Sequence, residues 1–357
     1  MVFAKVFSVF SVLSTDMGID LGTSNTRVCV RGRGIVVDEP SVVAVKKGTS
    51  EVLVGGVGER AKRMLGRTPL SIEVVRPLEG GVVSDFDMTG ALLGHFIRQA
   101  GERRRFLSPR IVMNVPTGIN AVEKRAIFNA ADRAGARRVF LVEEPRAAGL
   151  GAGLPIHEAK ACMVVDIGGG TTDVSILSLG DVVLSATTKI AGDAMDEAIV
   201  KYIQRNYNVL IGANTAEEIK VAIGSVGLDE HGRDWRGESV EVKGRDLIAG
   251  VPRAVTILGE EVREALREPV GQIVDLVRTT LERTGPELSG DLLERGMMLC
   301  GGGVLLRGLP EVLREETGLA VKVAPDPAQT VVRGTGVFLE YLDRFAPILE
   351  KIGRAHV

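Results

Sequence analysis

The stretch IDLGTSNTRVCV, residues 19–30, is a short apolar run closed by Asp20, a turn led by Gly22, and a second run that alternates apolar and polar side chains. Such alternation around a Gly-containing turn predicts a β-hairpin. The same succession returns as VDIGGGTTDVSI at residues 165–176, with Asp166 in the place of Asp20. A Gly-rich turn leaves consecutive backbone N–H groups uncovered by side chains, and such a nest attracts phosphate oxygens. One turn of this kind is as readily a plain hairpin as a ligand loop. Two of them, each preceded by an Asp at a strand end, point to two related halves that clamp one polyphosphate. On that reading Gly22, Thr23, Ser24 and Asn25 bind phosphate together with Gly168, Gly169 and Gly170. Asp20 and Asp166 converge on a hydrated Mg²⁺, a cation that keeps several waters and takes one or two carboxylates plus phosphate oxygens.

Composition agrees with a two-part soluble protein. The 357 residues exceed a usual single core, so two domains or one split by a deep cleft are expected. A hydrophobic share of 45% and a formal net charge of -2 are ordinary for globular chains and give no reason to expect a nucleic-acid partner. Cys29, Cys162 and Cys300 each lie beside an apolar run, far apart, and read as buried thiols. The four histidines are scattered without ligand spacing, so no zinc site is expected. No apolar run is long enough to span a bilayer.

Between the two hairpin stretches the pattern runs from strands to helices. VCVRGRGIVV, SVVAVKK and EVLVGGVG suit hairpins; DMTGALLGHFIRQA is helical and opens on Asp87 as a capping residue; RIVMNVP is a buried strand closed by Pro116. AVEKRAIFNAADRAGA is a helix ending at a glycine, and RVFLVEEP is the next strand. That order predicts a mostly parallel sheet covered by helices. After the second hairpin, helices are expected around 194–207 and 215–223, then a heptad-like helix from Gly259 and a further strand and turn, GMMLCGGGVLLRGL. The polar stretch 228–246 holds the only Trp and reads as a loop or hairpin outside the core.

Two segments stand apart. Wound as a helix, MVFAKVFSVFSVLSTD puts Phe3, Val6, Phe7, Phe10 and Leu13 on one side, which suits a membrane interface. A weak signal peptide, a β-prone tail, or a start placed ahead of Met17 are the competing readings. In RRRFLSPR, residues 103–110, Phe106 and Leu107 follow three arginines; they either tuck under the loop or point outward.

The doubled Asp–Gly hairpin, EEPRAAGLGAG between its copies, LCGGGVLLRGL and RGTGVFLE together resemble the nucleotide-binding segments of the actin, heat-shock ATPase and sugar-kinase superfamily. GIDLGTSNTRVCVRGRGIVVDEPSVVAV, RPLEGGVVSDFDMT, IAGDAMDEAIVKYI and TGPELSGDLLERGMMLCGGGVLLRGL narrow the likeness to the MreB family of bacterial actin-like rod-shape proteins, over roughly residues 17–345.

The resemblance implies an α/β, actin-like ATPase fold: two related lobes, each a β-sheet covered by helices, with a nucleotide cleft between them. It divides the chain into an amphipathic segment 1–16, a first lobe with a large subdomain at 17–43, 78–158 and 328–350 and a small one at 44–77, and a second lobe with a large subdomain at 159–194 and 259–327 and a small one at 195–258. It implies ATP and Mg²⁺ as ligands, with Asp20 and Asp166 governing the metal. Glu144, before Pro145, would orient or activate the attacking water with help from Thr171; the adjoining Glu143 is the alternative base. Glu217 and Lys220 would hold the nucleoside, although they read equally as an i,i+3 ion pair, and Gly301, Gly302, Gly303 and Val304 match the adenosine motif. It also implies insertion of Phe106 and Leu107 into an anionic membrane. Self-assembly into filaments on the inner face of the cell membrane, slow ATP hydrolysis, and membrane adaptor and cell-wall elongation partners complete the expectation. The alternatives are a soluble phosphotransferase, for which no second base stands out, and a chaperone-type ATPase, which would need a substrate domain that the sequence to Val357 does not hold.

Overall fold

The computed structural model describes residues 15–101, 108–345 and 349–351. The chain forms two compact units, Met1–Pro155 with Gln329–Val357, and Ile156–Ala328. Phe3, Phe7, Phe10, Phe106 and Leu107 lie outside the described residues.

In the first unit a six-stranded sheet runs in the order Glu350–Lys351, Arg138–Glu143, Arg110–Val115, Met17–Leu21, Asn25–Val30, Gly34–Pro40. Met17–Leu21, Arg110–Val115 and Arg138–Glu143 are parallel to one another, whereas Asn25–Val30 and Gly34–Pro40 continue antiparallel from Met17–Leu21. The sheet is therefore mixed. The expectation of a mostly parallel sheet fails because the tight hairpins pair with themselves, and only the helix-linked strands need crossovers. Helix Phe86–Ala100 buries Leu92, Leu93, Phe96 and Ile97 in the core, joined there by Ile127, Ala130 and Ala131 of helix Ala121–Arg133. Its cap is Asp85, whose side chain accepts from the Met88 N–H at 3.0 Å; the helix starts ahead of the expected Asp87, which sits in the first turn. Asn120 and Glu123 form a reciprocal capping box at the start of the next helix.

Helix Glu144–Gly151 is crossed by helix Thr330–Glu340 with almost no side-chain spacing. A Cβ on Gly151 would overlap the Thr330 carbonyl, and one on Gly334 the Ala147 carbonyl. Glycine in both helices thus lets their backbones touch, and it fixes the helix that begins with Glu144.

The second unit repeats the strand arrangement. Its sheet runs Asp181–Thr188, Thr172–Ser178, Cys162–Ile167, Met297–Cys300, Val321–Val323. The first three are an antiparallel meander; Cys162–Ile167, Met297–Cys300 and Val321–Val323 are parallel. Cys162–Ile167 is buried along its whole length, as a strand covered on both faces must be, while Asp181–Thr188 alternates at the edge. Helix Gly259–Glu282 buries Val262, Leu266, Val270, Ile273 and Val277, the three-to-four spacing of its sequence turned into one packed stripe. The polar stretch 228–246 supplies a loop and then strand Ser239–Asp246, paired with Val209–Leu210 and Pro252–Leu258. No helix among the described residues is long and apolar enough to cross a membrane.

Candidate nucleotide-binding hairpins

In an open α/β sheet, ligands bind beyond the carboxyl ends of parallel strands, where the strand order switches direction. In the first unit that edge is where Met17–Leu21 meets Arg110–Val115, and it carries Asp20, Asn114 and, at the end of Arg138–Glu143, Glu143 and Glu144. Asp20 is buried and opposite Arg27, whose guanidinium lies 3.7 Å from it and 3.0 Å from Asp38. Burial pushes the Asp20 carboxyl up to about 6, against the opposing pull of Arg27 and of the Asn114 side chain. Asn114 also accepts from the Leu21 N–H at 3.0 Å, which pins the strand where it enters the turn.

The turn itself is tied from outside. Ser41 donates to the Gly22 carbonyl at 2.7 Å, its N–H donates to the Ser24 carbonyl at 2.9 Å, and Thr23 accepts from the Gly81 N–H at 3.0 Å. Asn25 donates to Asp38 at 3.2 Å. A Cβ on Gly22 would stand 2.7 Å from the Asn25 carbonyl, so any larger residue there must shift the turn. Glu144 opens its helix, with the buried Pro145 at the next position supplying the fixed φ of a first turn.

In the second unit Asp166 is buried, one residue from the end of its strand, and opposite Asp173. The Cys300 thiol donates to it at 3.4 Å. Burial raises the Asp173 carboxyl, offset by hydrogen bonds from the Thr187 and Thr171 hydroxyls, the former at 2.5 Å. Thr171 is therefore held by a neighbouring carboxylate. Gly168 donates to the Thr171 carbonyl at 2.9 Å to close the turn, and the first N–H groups of helix Gly192–Tyr207 donate to the Gly168 and Gly169 carbonyls at 3.2 and 2.7 Å. Those donors orient the turn's peptides from behind.

Gly301 has φ +85°, and a Cβ there would overlap the Ile167 carbonyl and the Asp166 carboxylate; one on Gly303 would overlap the Ile167 side chain. The glycines of CGGGV thus bring the short 3₁₀ turn Gly302–Leu305 against the second hairpin, with Val304 buried beneath and Gly302 open. Lys220 reaches another helix: its ammonium lies 2.7 Å from Asp196 and donates to the Gly192 carbonyl at 3.0 Å. Burial pushes Asp196 up to about 6 despite Lys220, and Glu217 adds to the push. Asp196, Arg27, Asn114 and Asp173 were not singled out from the sequence, where nothing but their register on the hairpin strands and neighbouring elements marks them.

No group of three or more His, Cys, Asp or Glu among the described residues is arranged to hold a metal. Single buried carboxylates beside N–H-rich turns fit a hard cation that takes its other ligands from phosphate and water, as Mg²⁺ does.

The profile of the family described as MreB/Mbl protein matches residues 14–347. This chain belongs to the MreB/Mbl family. It is 51% identical over 336 residues to the cell shape-determining protein MreB of Escherichia coli K12, covering 93% of this chain and 95% of that one. MreB5 of Spiroplasma citri, solved with ADP and with AMPPNP, superposes with a TM-score of 0.87 at 35% identity, over 94% of this chain and 98% of that one. The MamK double helical filament gives 0.75 at 25% identity, over 92% and 99%. The fold of this family member is therefore actin-like.

Proposed function

We propose that this MreB/Mbl family member binds ATP with Mg²⁺, hydrolyses it slowly and assembles into filaments that determine cell shape. The observation that carries the reading is the Asp–Gly hairpin at the carboxyl edge of the same five-strand arrangement, once in each unit. Family membership supports it, as do the nucleotides in the MreB5 structures, the MamK filament and the name of the E. coli relative.

On this reading the N–H groups of Gly22–Asn25 and Gly168–Gly170 bind phosphate oxygens. Asp20 and Asp166 hold the hydrated cation, which when bound supplies charge neutralisation on the phosphates. Glu144 orients the attacking water and accepts its proton, and Thr171, fixed by Asp173, helps to place that water. Glu217, Lys220 and Gly301–Val304 hold the nucleoside. Filaments lie on the inner face of the cell membrane through residues 1–16 and the Phe106–Leu107 pair, where they meet membrane adaptors and wall-elongation enzymes.

The test is electron microscopy of the purified protein with ATP and Mg²⁺ on anionic lipid monolayers. It compares the full chain with a version starting at Met17 and one carrying Phe106→Ser and Leu107→Ser. Membrane-bound filaments that the variants fail to form are expected. Monomeric ATP binding without polymer under any nucleotide would contradict the filament reading and favour a soluble phosphotransferase or chaperone-type ATPase. In solution Glu144→Gln lowers hydrolysis about 10²–10⁴-fold while leaving ATP affinity unchanged.

A further inference from the structure

Helix Ala213–Ile223, which carries Glu217 and Lys220, and the 3₁₀ turn Gly302–Leu305 reach the same unit from distant parts of the chain. One side chain joins them. The Arg307 guanidinium donates to the Gly224 carbonyl at 3.2 Å and to the Val221 carbonyl at 3.0 Å, the carbonyls at the carboxyl end of that helix, where a cation also suits the helix dipole. The Arg307 carbonyl accepts from the Val226 N–H at 2.8 Å, and Ser225 and Arg307 form a parallel bridge. Gly308, at φ +81°, packs so closely on Gly227 that a Cβ would stand 2.5 Å from the Gly227 nitrogen.

Arg307 is itself gripped from outside by the polar loop that the sequence left unexplained. Its guanidinium lies 4.0 Å from the centroid of Trp235, and Arg233 lies 3.7 Å from the same ring, so the indole is layered with two cations. Trp235 donates through its indole N–H to Asp229 at 3.2 Å. Arg263 ties the base of the loop, donating to Ser225 Oγ at 2.9 Å, the Gly227 carbonyl at 3.0 Å and Asp234 at 3.0 Å. A half-buried aromatic between two arginines on a polar surface loop contributes little to the core; its contact is with the residue that joins the two nucleoside-side elements.

We infer that Arg307 is a positioning residue for the nucleoside half of the site and that Trp235 clamps it, so that the loop 228–238 senses whether a nucleoside is bound. The inference rests on the nucleotide reading above and deepens it: Arg307 sets the spacing between helix Ala213–Ile223 and the Gly301–Val304 turn without touching phosphate. Selectivity for a nucleoside triphosphate over a bare triphosphate then depends on this pair.

Trp235 is the only tryptophan in the chain, so its fluorescence reads the clamp directly. Full-length protein, Arg307→Ala, Trp235→Ala and Trp235→Phe are titrated calorimetrically with Mg-ATP and with Mg-tripolyphosphate. ATP affinity is expected to fall about tenfold in Arg307→Ala, which loses two charge-assisted hydrogen bonds, and about threefold in Trp235→Ala. Trp235→Phe keeps an aromatic face and restores ATP affinity, and tripolyphosphate affinity is unchanged throughout. In the unaltered protein ATP shifts the Trp235 emission and tripolyphosphate does not. Should Arg307→Ala fold poorly, Trp235→Ala carries the same comparison on a surface residue. Equal losses for both ligands, or no loss for either, overturn the inference while the nucleotide reading stands. An unaltered protein that binds neither ligand overturns both.

Discussion

The two hairpins share a backbone plan and differ in the residue opposite the strand-end aspartate. Asp20 faces Arg27; Asp166 faces Asp173. In the first, a positive charge is built into the strand and shared with Asp38, although burial still raises the Asp20 carboxyl. In the second, two buried carboxylates oppose each other, an arrangement that is unfavourable across a sheet unless hydrogen bonds or an added cation offset it. Thr171, Thr187 and Cys300 supply the hydrogen bonds. A repeated fold has thus kept its geometry and changed its electrostatics: a cation on the facing strand stands opposite the first aspartate, and a carboxyl opposite the second.

Substitutions at the two partners break the symmetry most strongly. Arg27→Met strands Asp20 and Asp38 beside each other and is expected to cost about 3 kcal/mol in urea unfolding of the ligand-free protein. Asp173→Asn relieves a like-charge pair and is expected to leave stability unchanged or raise it by about 1 kcal/mol in the same measurement. Equal losses would mean that both partners are merely packing. The glycines come next. Gly301→Ala, at φ +85° and against the Asp166 carboxylate, is expected to cost about 2–3 kcal/mol, and Gly22→Ala, with ordinary φ, about 1 kcal/mol.

Thr187→Val, which removes one hydrogen bond from Asp173, is expected to cost about 1 kcal/mol at neutral pH. Separate from these substitutions is a slope with pH, which for a buried carboxyl shifted this far amounts to about 3 kcal/mol. Asp20 titrates at about 6 in the fold against 3.8 in the unfolded chain, so between these values the native state binds the extra proton. Its favourable contribution is fully present below pH 3.8 and is lost as pH rises through about 6 in cation-free protein. Asp196 adds a slope of the same sign. Asp20→Asn flattens the first part, and added Mg-nucleotide reverses it by favouring the carboxylate.

Both hairpins were readable in the sequence because a tight turn declares itself locally: an Asp, a Gly and alternating flanks within a dozen residues. The crossing of Gly151 and Gly334 was readable only as a likeness of EEPRAAGLGAG and RGTGVFLE to known segments, since the reason for their glycines is a helix that meets them from almost two hundred positions away. Lys220 showed the limit plainly. Its spacing from Glu217 suggested a partner on its own helix, whereas Asp196 on another helix holds its ammonium at 2.7 Å. Asn114 inside RIVMNVP carries no mark of its task, because the backbone N–H it receives belongs to a strand paired across the sheet. The Trp235 stack stayed hidden for the same reason: aromatic and cation come from segments about seventy residues apart. Long-range pairing is decided by topology, and a local pattern does not carry it.

The proposed function needs both hairpins for nucleotide binding. Calorimetric titration of the ligand-free protein with ATP and Mg²⁺, repeated on Asp20→Asn and Asp166→Asn separately, tests it most directly. One ATP per chain is expected, with a loss of at least about tenfold in Mg²⁺-dependent affinity from either substitution alone. Two ATP per chain, or full affinity after either substitution, would contradict it.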